Sequence, residues 1–376
     1  MNGKMRRCAF VAWSTIAGAA CAADPPMTFQ AIGSLSEVTA QVSVIATPTG
    51  RIVIGEGWRA DVFVAATNTW LPPIAYHGDH WTAGAALLSD GRVLIAGTAS
   101  TTSGAVNAEV VDPMAGISTP TGAMGVPRYG NYVASMPDGR VFVWAGTQPG
   151  TSAPPVATSE FYNSATNAFA SAGSALPARW NASFTRLADG RYLVAGGSDV
   201  NGNALLAAQI YNPATNTALN TGAMPDYLIQ HAALLLQDGR VLIVGGSRYI
   251  GGSWVLSNRA YVYSPANGHF TLIASMTNER NQPTAALLPN GKVLVAGGTA
   301  GLYQTPVAAA ELFNPATNTF STGPSMVAPR YGASAVALPD GRVLIAGGST
   351  GPFQGNEAIP TVEMFGVDRI FEAEFE

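Results

Sequence analysis

Five basic side chains recur at one register of this sequence. His80, Arg128, Arg179, Arg280 and Arg330 each stand ten residues before an Asp or Asn that precedes a glycine, and Leu228 breaks the series. One position later come Trp81, Tyr129, Trp180, Ile229, Asn281 and Tyr331. Arginine binds anions through paired N–H groups, and aromatic rings offer apolar platforms. A ring of such residues would suit a carboxylate or an acidic sugar. Beside the break lies Arg248-Tyr249-Ile250-Gly-Gly-Ser-Trp254, a glycine-hinged loop whose aromatics are unusual at a loop tip. The five basic residues with Trp81, Tyr129, Trp180, Tyr331, Arg248, Tyr249 and Trp254 are the candidate ligand-binding set, the last three expected to overhang the same opening.

The same arginines have a second reading. Acids recur at their own register as Asp61, Glu109, Glu160, Glu311 and Glu363, with Gln209 and Tyr261 at the two remaining places. Pairing each basic residue with the acid of its own repeat, or with that of the preceding one, fits the spacing equally well. Recurrence across repeats suits a scaffold role better than a single site.

Catalytic constellations are thin. The four histidines are His77, His80, His231 and His269, and His77-Gly-Asp-His80 lacks the helical presentation of zinc motifs. No serine nucleophile elbow or nucleotide fingerprint is present. The formal charge of −4 and the absence of a Lys/Arg-rich run argue against nucleic acid or an anionic membrane as partner. No catalytic residue, metal site or cofactor is expected.

These side chains must be held by a repeated element. Turn glycines fall at Gly50, Gly91, Gly139, Gly190, Gly239, Gly291 and Gly341, at intervals of 41 to 52 residues. Arg or Lys follows each, then a run such as Val-Leu-Ile that is apolar at every position, the mark of a strand buried on both faces. Asp-Gly or Asn-Gly ahead of it predicts a type I′ hairpin turn, which needs positive φ at both central residues. A third strand such as Ala309-Ala-Glu-Leu-Phe-Asn314 and a fourth after Ala-Thr-Asn complete each unit. Four strands at a period near fifty make one propeller blade per repeat.

The Gly-Gly closing the second strand, the Glu-x-Phe/Tyr-Asn of the third, the aromatic opening the fourth and the Arg before the first resemble the kelch-repeat β-propellers. The resemblance implies an all-β, seven-bladed β-propeller of four-stranded blades over residues 27–366. Residues 27–33, which read like the fourth strand of blade 6, are expected to close the last blade, and 367–376 form an acidic tail outside the repeat. Kelch members include adaptor proteins, the catalytic domain of a copper radical oxidase acting on galactose, and bacterial mutarotases for sialic acid. The resemblance thus implies a binding module for a protein or carbohydrate at the channel mouth, or an exported enzyme on acidic carbohydrates. In the second case the mouth arginines would hold the carboxylate, and Glu109 or Glu160 would move protons. Copper radical chemistry needs a cysteine cross-linked to a tyrosine.

Both cysteines, Cys8 and Cys21, lie in a leading segment with Lys4, Arg6 and Arg7 before a short apolar stretch. Ala20-Cys21-Ala22 fits a small-x-small cleavage site, so residues 1–22 read as a secretory signal and the protein as secreted or periplasmic. Cleavage would remove three basic residues and no acid, taking the charge from −4 to −7 and leaving no cysteine. Lipidation at Cys21, after Gly18-Ala19-Ala20, is the alternative. No later apolar run is long enough to span a membrane as a helix.

Overall fold

A strand of four consecutive apolar residues has no polar face to offer water, so it must be covered on both sides. Val93–Ala96, Val141–Trp144, Val241–Val244, Val293–Ala296 and Val343–Ala346 are buried throughout, as this requires. The computed structural model describes residues 27–37, 41–55, 57–102, 104–151, 154–351 and 357–367. The expected signal segment 1–22 and the tail from 368 onward lie outside the described residues. Among the described residues the strands form seven four-stranded antiparallel sheets and no helix. These are the seven blades of a β-propeller.

Each of blades 1 to 6 runs outward through four successive main strands. In blade 3 these are Tyr132–Ser135, Val141–Trp144, Ser159–Asn163 and Ala168–Gly173. Blade 7 takes Ser334–Ala337, Val343–Ala346 and Thr361–Val367 from the end of the chain. Its outermost strand is Met27–Ser34, antiparallel to Thr361–Val367 with Phe29 opposite Phe365. Both ends of the ring therefore share one sheet, and the innermost strands of blades 7 and 1 meet through the Ser334 hydroxyl donating to the Val42 carbonyl at 2.6 Å.

The core lies between blades. Alternate residues of a strand face opposite ways, so Val241 and Ile243 pack with Leu193 of blade 4, while Leu242 and Val244 pack with Val293 of blade 6. Seven apolar clusters of this kind occupy the seven interfaces. A blade alone would leave both of its faces wet, so the stacking is what stabilises each sheet.

The repeated turn differs from the type I′ expectation. Gly91, Gly139, Gly190, Gly239, Gly291 and Gly341 have φ between 80° and 89°, but the Asp or Asn before them keeps negative φ. In blade 2 the Gly91 N–H donates to the Leu88 carbonyl at 3.1 Å and the Leu88 N–H to the Arg92 carbonyl at 2.8 Å. That is a three-residue loop, a type I turn followed by a left-handed glycine bulge. The aspartate is free to reach forward instead: Asp90 accepts from the Arg92 backbone at 3.1 Å and from its guanidinium at 2.9 Å.

The paired glycines set the seam. A side chain on Gly297 would come within 2.5 Å of the Arg330 carbonyl of the next blade, and one on Gly298 within 2.8 Å of the Asn281 carbonyl of its own. Gly298 meanwhile donates its N–H to that Arg330 carbonyl at 2.9 Å. Gly245 and Gly246 relate to Arg280 in the same way, at 2.6 and 2.7 Å. The pair thus permits close backbone approach between blades as well as positive φ.

Two alanine substitutions separate these effects. Gly239 has positive φ with nothing near its missing side chain, so Gly239→Ala should cost only about 1–2 kcal/mol of left-handed strain. Gly297→Ala adds a collision with the neighbouring blade and should cost about 3 kcal/mol or more. Denaturant unfolding of both variants checks the order, and equal losses would contradict the seam.

Candidate functional site

The basic residues of the sequence register point into the blades. Arg128, Arg280 and Arg330 are fully buried, and Arg179 and His80 nearly so. Each pairs with the third-strand residue of its own blade, which decides between the two registers that spacing left open. Arg330 is representative. One of its terminal nitrogens donates to the carbonyls of Gly347 at 3.1 Å and Thr361 at 2.7 Å, and the other meets Glu363 Oε1 at 2.7 Å. Glu363 also accepts the N–H groups of Val327 and Ala328 at 2.8 and 3.0 Å. The carboxylate therefore fastens the loop arriving from blade 6 to the third strand of blade 7. Glu160 with Arg128 and Glu311 with Arg280 repeat the arrangement at 2.8 and 3.2 Å. Burial pulls each guanidinium below its usual pKa, and the adjacent glutamate opposes that shift.

Three blades vary the clasp. In blade 2, His80 Nε2 lies 3.1 Å and His77 Nδ1 2.9 Å from the two oxygens of Glu109. Glu109 also accepts from the backbone of His77 and Gly78 and from the Ser118 hydroxyl. Burial raises its pKa, but the hydrogen bonds from His80, His77 and Ser118 outweigh this and hold it at about 2. In blade 4 the partner is neutral. Arg179 donates to Gln209 Oε1 at 2.9 Å, and its pKa falls with burial with no carboxylate to oppose it. Blade 5 inverts the arrangement: Asp226 of the incoming loop receives the Tyr261 hydroxyl of the third strand and Arg259 at 2.8 Å, with Arg248 at 3.7 Å. Leu228, where an arginine would stand, is packed among Leu193, Met224 and Tyr261.

These contacts correct the candidate ligand set. His80, Arg128, Arg179, Arg280 and Arg330 are spent inside the fold and present nothing to a ligand. Tyr331 is buried, Trp81 and Tyr129 are half-buried, and Arg248 is tied to Asp226. Trp180, Tyr249 and Trp254 are 38%, 41% and 40% exposed. The expected loop around Tyr249 is a hairpin. Ser247–Ile250 pairs with Ser253–Leu256 across Gly251-Gly252, whose φ values of 58° and 90° suit a two-residue turn. Leu228–Ile229 adds a third strand. Tyr249 faces Trp254 across the hairpin with ring centroids 5.2 Å apart. Ile250, Val255 and Tyr227 are exposed beside them.

The channel mouth itself is lined one step further along the chain, two residues after each clasp residue. Thr82, Gly130, Asn181, Gln230, Gln282 and Gly332, one from each of blades 2 to 7, all adopt positive φ between 52° and 68°. Backbone bonds link them: Gly130 to Thr82, Gln230 to Asn181, Gln282 to Gln230 and Gly332 to Gln282, each at 3.0 or 3.1 Å. They surround a cavity of about 410 Å³. The sequence reading missed this ring. Its signal was the glycine or asparagine two places after Arg128, Arg179 and Arg330, residue types that tolerate a left-handed backbone. Behind the ring, His231 has both ring nitrogens buried and unpartnered, and burial lowers its pKa to about 4.

Comparison with known proteins agrees with this geometry. Residues 282–327, within blades 6 and 7, match the family model of the Kelch motif, and the seven sheets form a β-propeller. The chain is similar in structure to a fungal alcohol oxidase of the AA5 family, in complex with copper, with a TM-score of 0.72 and 19% identity. That match covers 94% of this chain and 78% of the other, and at this identity it shows the shared fold alone. A search of curated proteins finds no match. Among the described residues no three His, Cys, Asp or Glu side chains converge to hold a metal ion. Cys8 and Cys21 lie outside the described residues. No helix among the described residues is long and apolar enough to cross a membrane.

Two predictions follow the clasp. Gln209→Glu should give Arg179 the carboxylate it lacks and stabilise the fold by about 1–3 kcal/mol, read as a higher denaturant midpoint; a loss would show that blade 4 does not need the charge. Glu109 is held below its ordinary 4.5. Its contribution is therefore complete above about pH 4.5 and is lost as pH falls toward 2. The stability advantage of the parent over Glu109→Gln should shrink across that window, and a difference independent of pH there would contradict the assignment.

Proposed function

We propose that this chain is an exported kelch-type propeller that acts as a binding module, with the channel-mouth face as its ligand or partner surface. The observation that carries this reading is the blade 5 hairpin. It adds Tyr249, Ile250, Trp254 and Val255 as exposed apolar surface to a face that the fold does not need covered. Its base strand Leu228–Ile229 is one residue from Gln230 in the mouth, so hairpin and mouth share a face. Trp180 of blade 4 and Leu302 and Tyr303, in the corresponding loop of blade 6, are exposed too. Rigid aromatics on a hairpin offer contact area at low ordering cost, which favours recognition. Kelch repeats commonly mediate protein binding, in keeping with this face.

An exported enzyme on acidic carbohydrates would need mouth arginines for the carboxylate and Glu109 or Glu160 as proton carriers. Those groups are bound to one another or to their own blade, which counts against that mechanism. The leading segment 1–22 supports export.

The test is Tyr249→Ala/Trp254→Ala, compared with the parent by melting and by binding to a glycan array and to envelope proteins of its own host. The reading expects a melting temperature within about 2 °C of the parent and loss of the partners that the parent selects. Unfolding of the variant would make the hairpin a structural plug, and an unchanged set of partners would remove the hairpin from the binding surface.

A further inference from the structure

The cup at the channel mouth differs in chemistry from the hairpin beside it. Its walls carry amides and hydroxyls from separate blades: Gln41, Thr82, Asn181, Gln230 and Gln282. No Asp, Glu, Lys or Arg is among the described residues that line it. Between them lie small apolar surfaces such as Ala83, Ala182 and Ala333. Many of the polar groups are uncommitted. The side-chain amides of Gln41, Asn181 and Gln282 make no hydrogen bond to the described residues, and the Thr82 hydroxyl is buried without a partner. Asn281 donates to Gln230 Oε1 at 2.9 Å and leaves its own amide oxygen unpartnered.

The backbone supplies a second, independent observation. Blades 3 and 7 place glycine at the left-handed position of the ring, where it costs nothing. Blades 2, 5 and 6 place Thr82, Gln230 and Gln282 there, at φ of 55°, 56° and 52°. A β-branched residue such as threonine is a true outlier at positive φ. Strain that glycine would relieve is retained at positions whose side chains end in hydroxyl or amide groups at the cavity, a pattern associated with functional sites.

We propose that this cup binds a neutral polyhydroxylated ligand, a mono- or disaccharide without a carboxylate. An amide offers both a donor and an acceptor, which matches the adjacent hydroxyls of a sugar ring. A cavity of about 410 Å³ lies in the range of small-ligand sites. The lack of a lining cation gives an acidic sugar no counter-charge, so the carboxylate expected from the sequence is replaced by a neutral ligand. The proposal rests on the mouth face being the binding surface and names the ligand class at its centre.

Saturation-transfer NMR on the full protein tests it, with methyl α-D-glucoside, methyl β-D-galactoside and cellobiose as neutral probes and D-glucuronate as the charged one. At least one neutral probe should receive saturation, with an affinity insensitive to added NaCl. Thr82→Gly/Gln282→Gly removes two polar groups while suiting the backbone. It should weaken that binding at least about tenfold and melt at or above the parent temperature. The proposal is overturned if no neutral probe receives saturation, if glucuronate binds in preference, or if the double glycine variant binds like the parent. Tyr249→Ala/Trp254→Ala separates the two readings: saccharide binding retained in that variant belongs to the cup, whatever becomes of the hairpin's partners.

Discussion

A guanidinium taken out of water must find acceptors for its donors and a charge to face, or the fold loses several kcal/mol. In this propeller that requirement is met four residues upstream of the innermost strand in blades 3, 6 and 7. Arg128, Arg280 and Arg330 hold two carbonyls and a glutamate of their own blade, while their own carbonyls accept an N–H from the blade before. One residue thus ties a sheet internally by its side chain and to its neighbour by its backbone. The glycine pair follows from this, because a side chain on Gly245 or Gly297 would meet the approaching carbonyl. Burial of the second strand follows as well, since blades held this close leave no water between them.

Where the clasp changes, the surface changes with it. Blade 4 carries a cation without an anion, and blade 5 moves its anion to the incoming loop and fills the vacated place with Leu228. There Leu228–Ile229 forms a short strand, which the hairpin Ser247–Leu256 extends. Exposed aromatics of the mouth face cluster on blades 4 to 6, around this irregular place, with Trp58 standing apart on blade 1. Regular blades supply rigidity, and the departure from regularity supplies a surface of distinct shape.

Much of this was legible in the sequence because repetition makes local signals add. Seven turn glycines, each with an apolar run behind, specify the blades, and the likeness of residues 28–35 to the fourth strand of blade 6 anticipates the strand pairing Met27–Ser34 with Thr361–Val367. Two things were hidden for physical reasons. Whether Arg330 meets Glu311 or Glu363 depends on the direction of a buried side chain, and the repeat places both at equivalent spacings. The turn type was misread because Asp-Gly serves a type I′ turn and a glycine-bulge loop equally well; the outcome turns on Asp90 capping Arg92 rather than on residue preference. The mouth residues escaped because an αL backbone at Gln230 or Gln282 runs against their propensity. Only their neighbours in the ring, Gly130, Asn181 and Gly332, announce it.

The account stands on the claim that the buried Arg–Glu pair of blades 3, 6 and 7 is a tie between loop, sheet and neighbour, and a double-mutant cycle on Arg330 and Glu363 tests it most directly. Arg330→Met or Glu363→Gln alone should each cost about 3–5 kcal/mol, because each strands a buried charge. Together they should remain destabilising, since the Gly347 and Thr361 carbonyls lose their donor, and the coupling between the two should exceed about 1 kcal/mol. A double variant as stable as the parent, or costs that simply add, would contradict it.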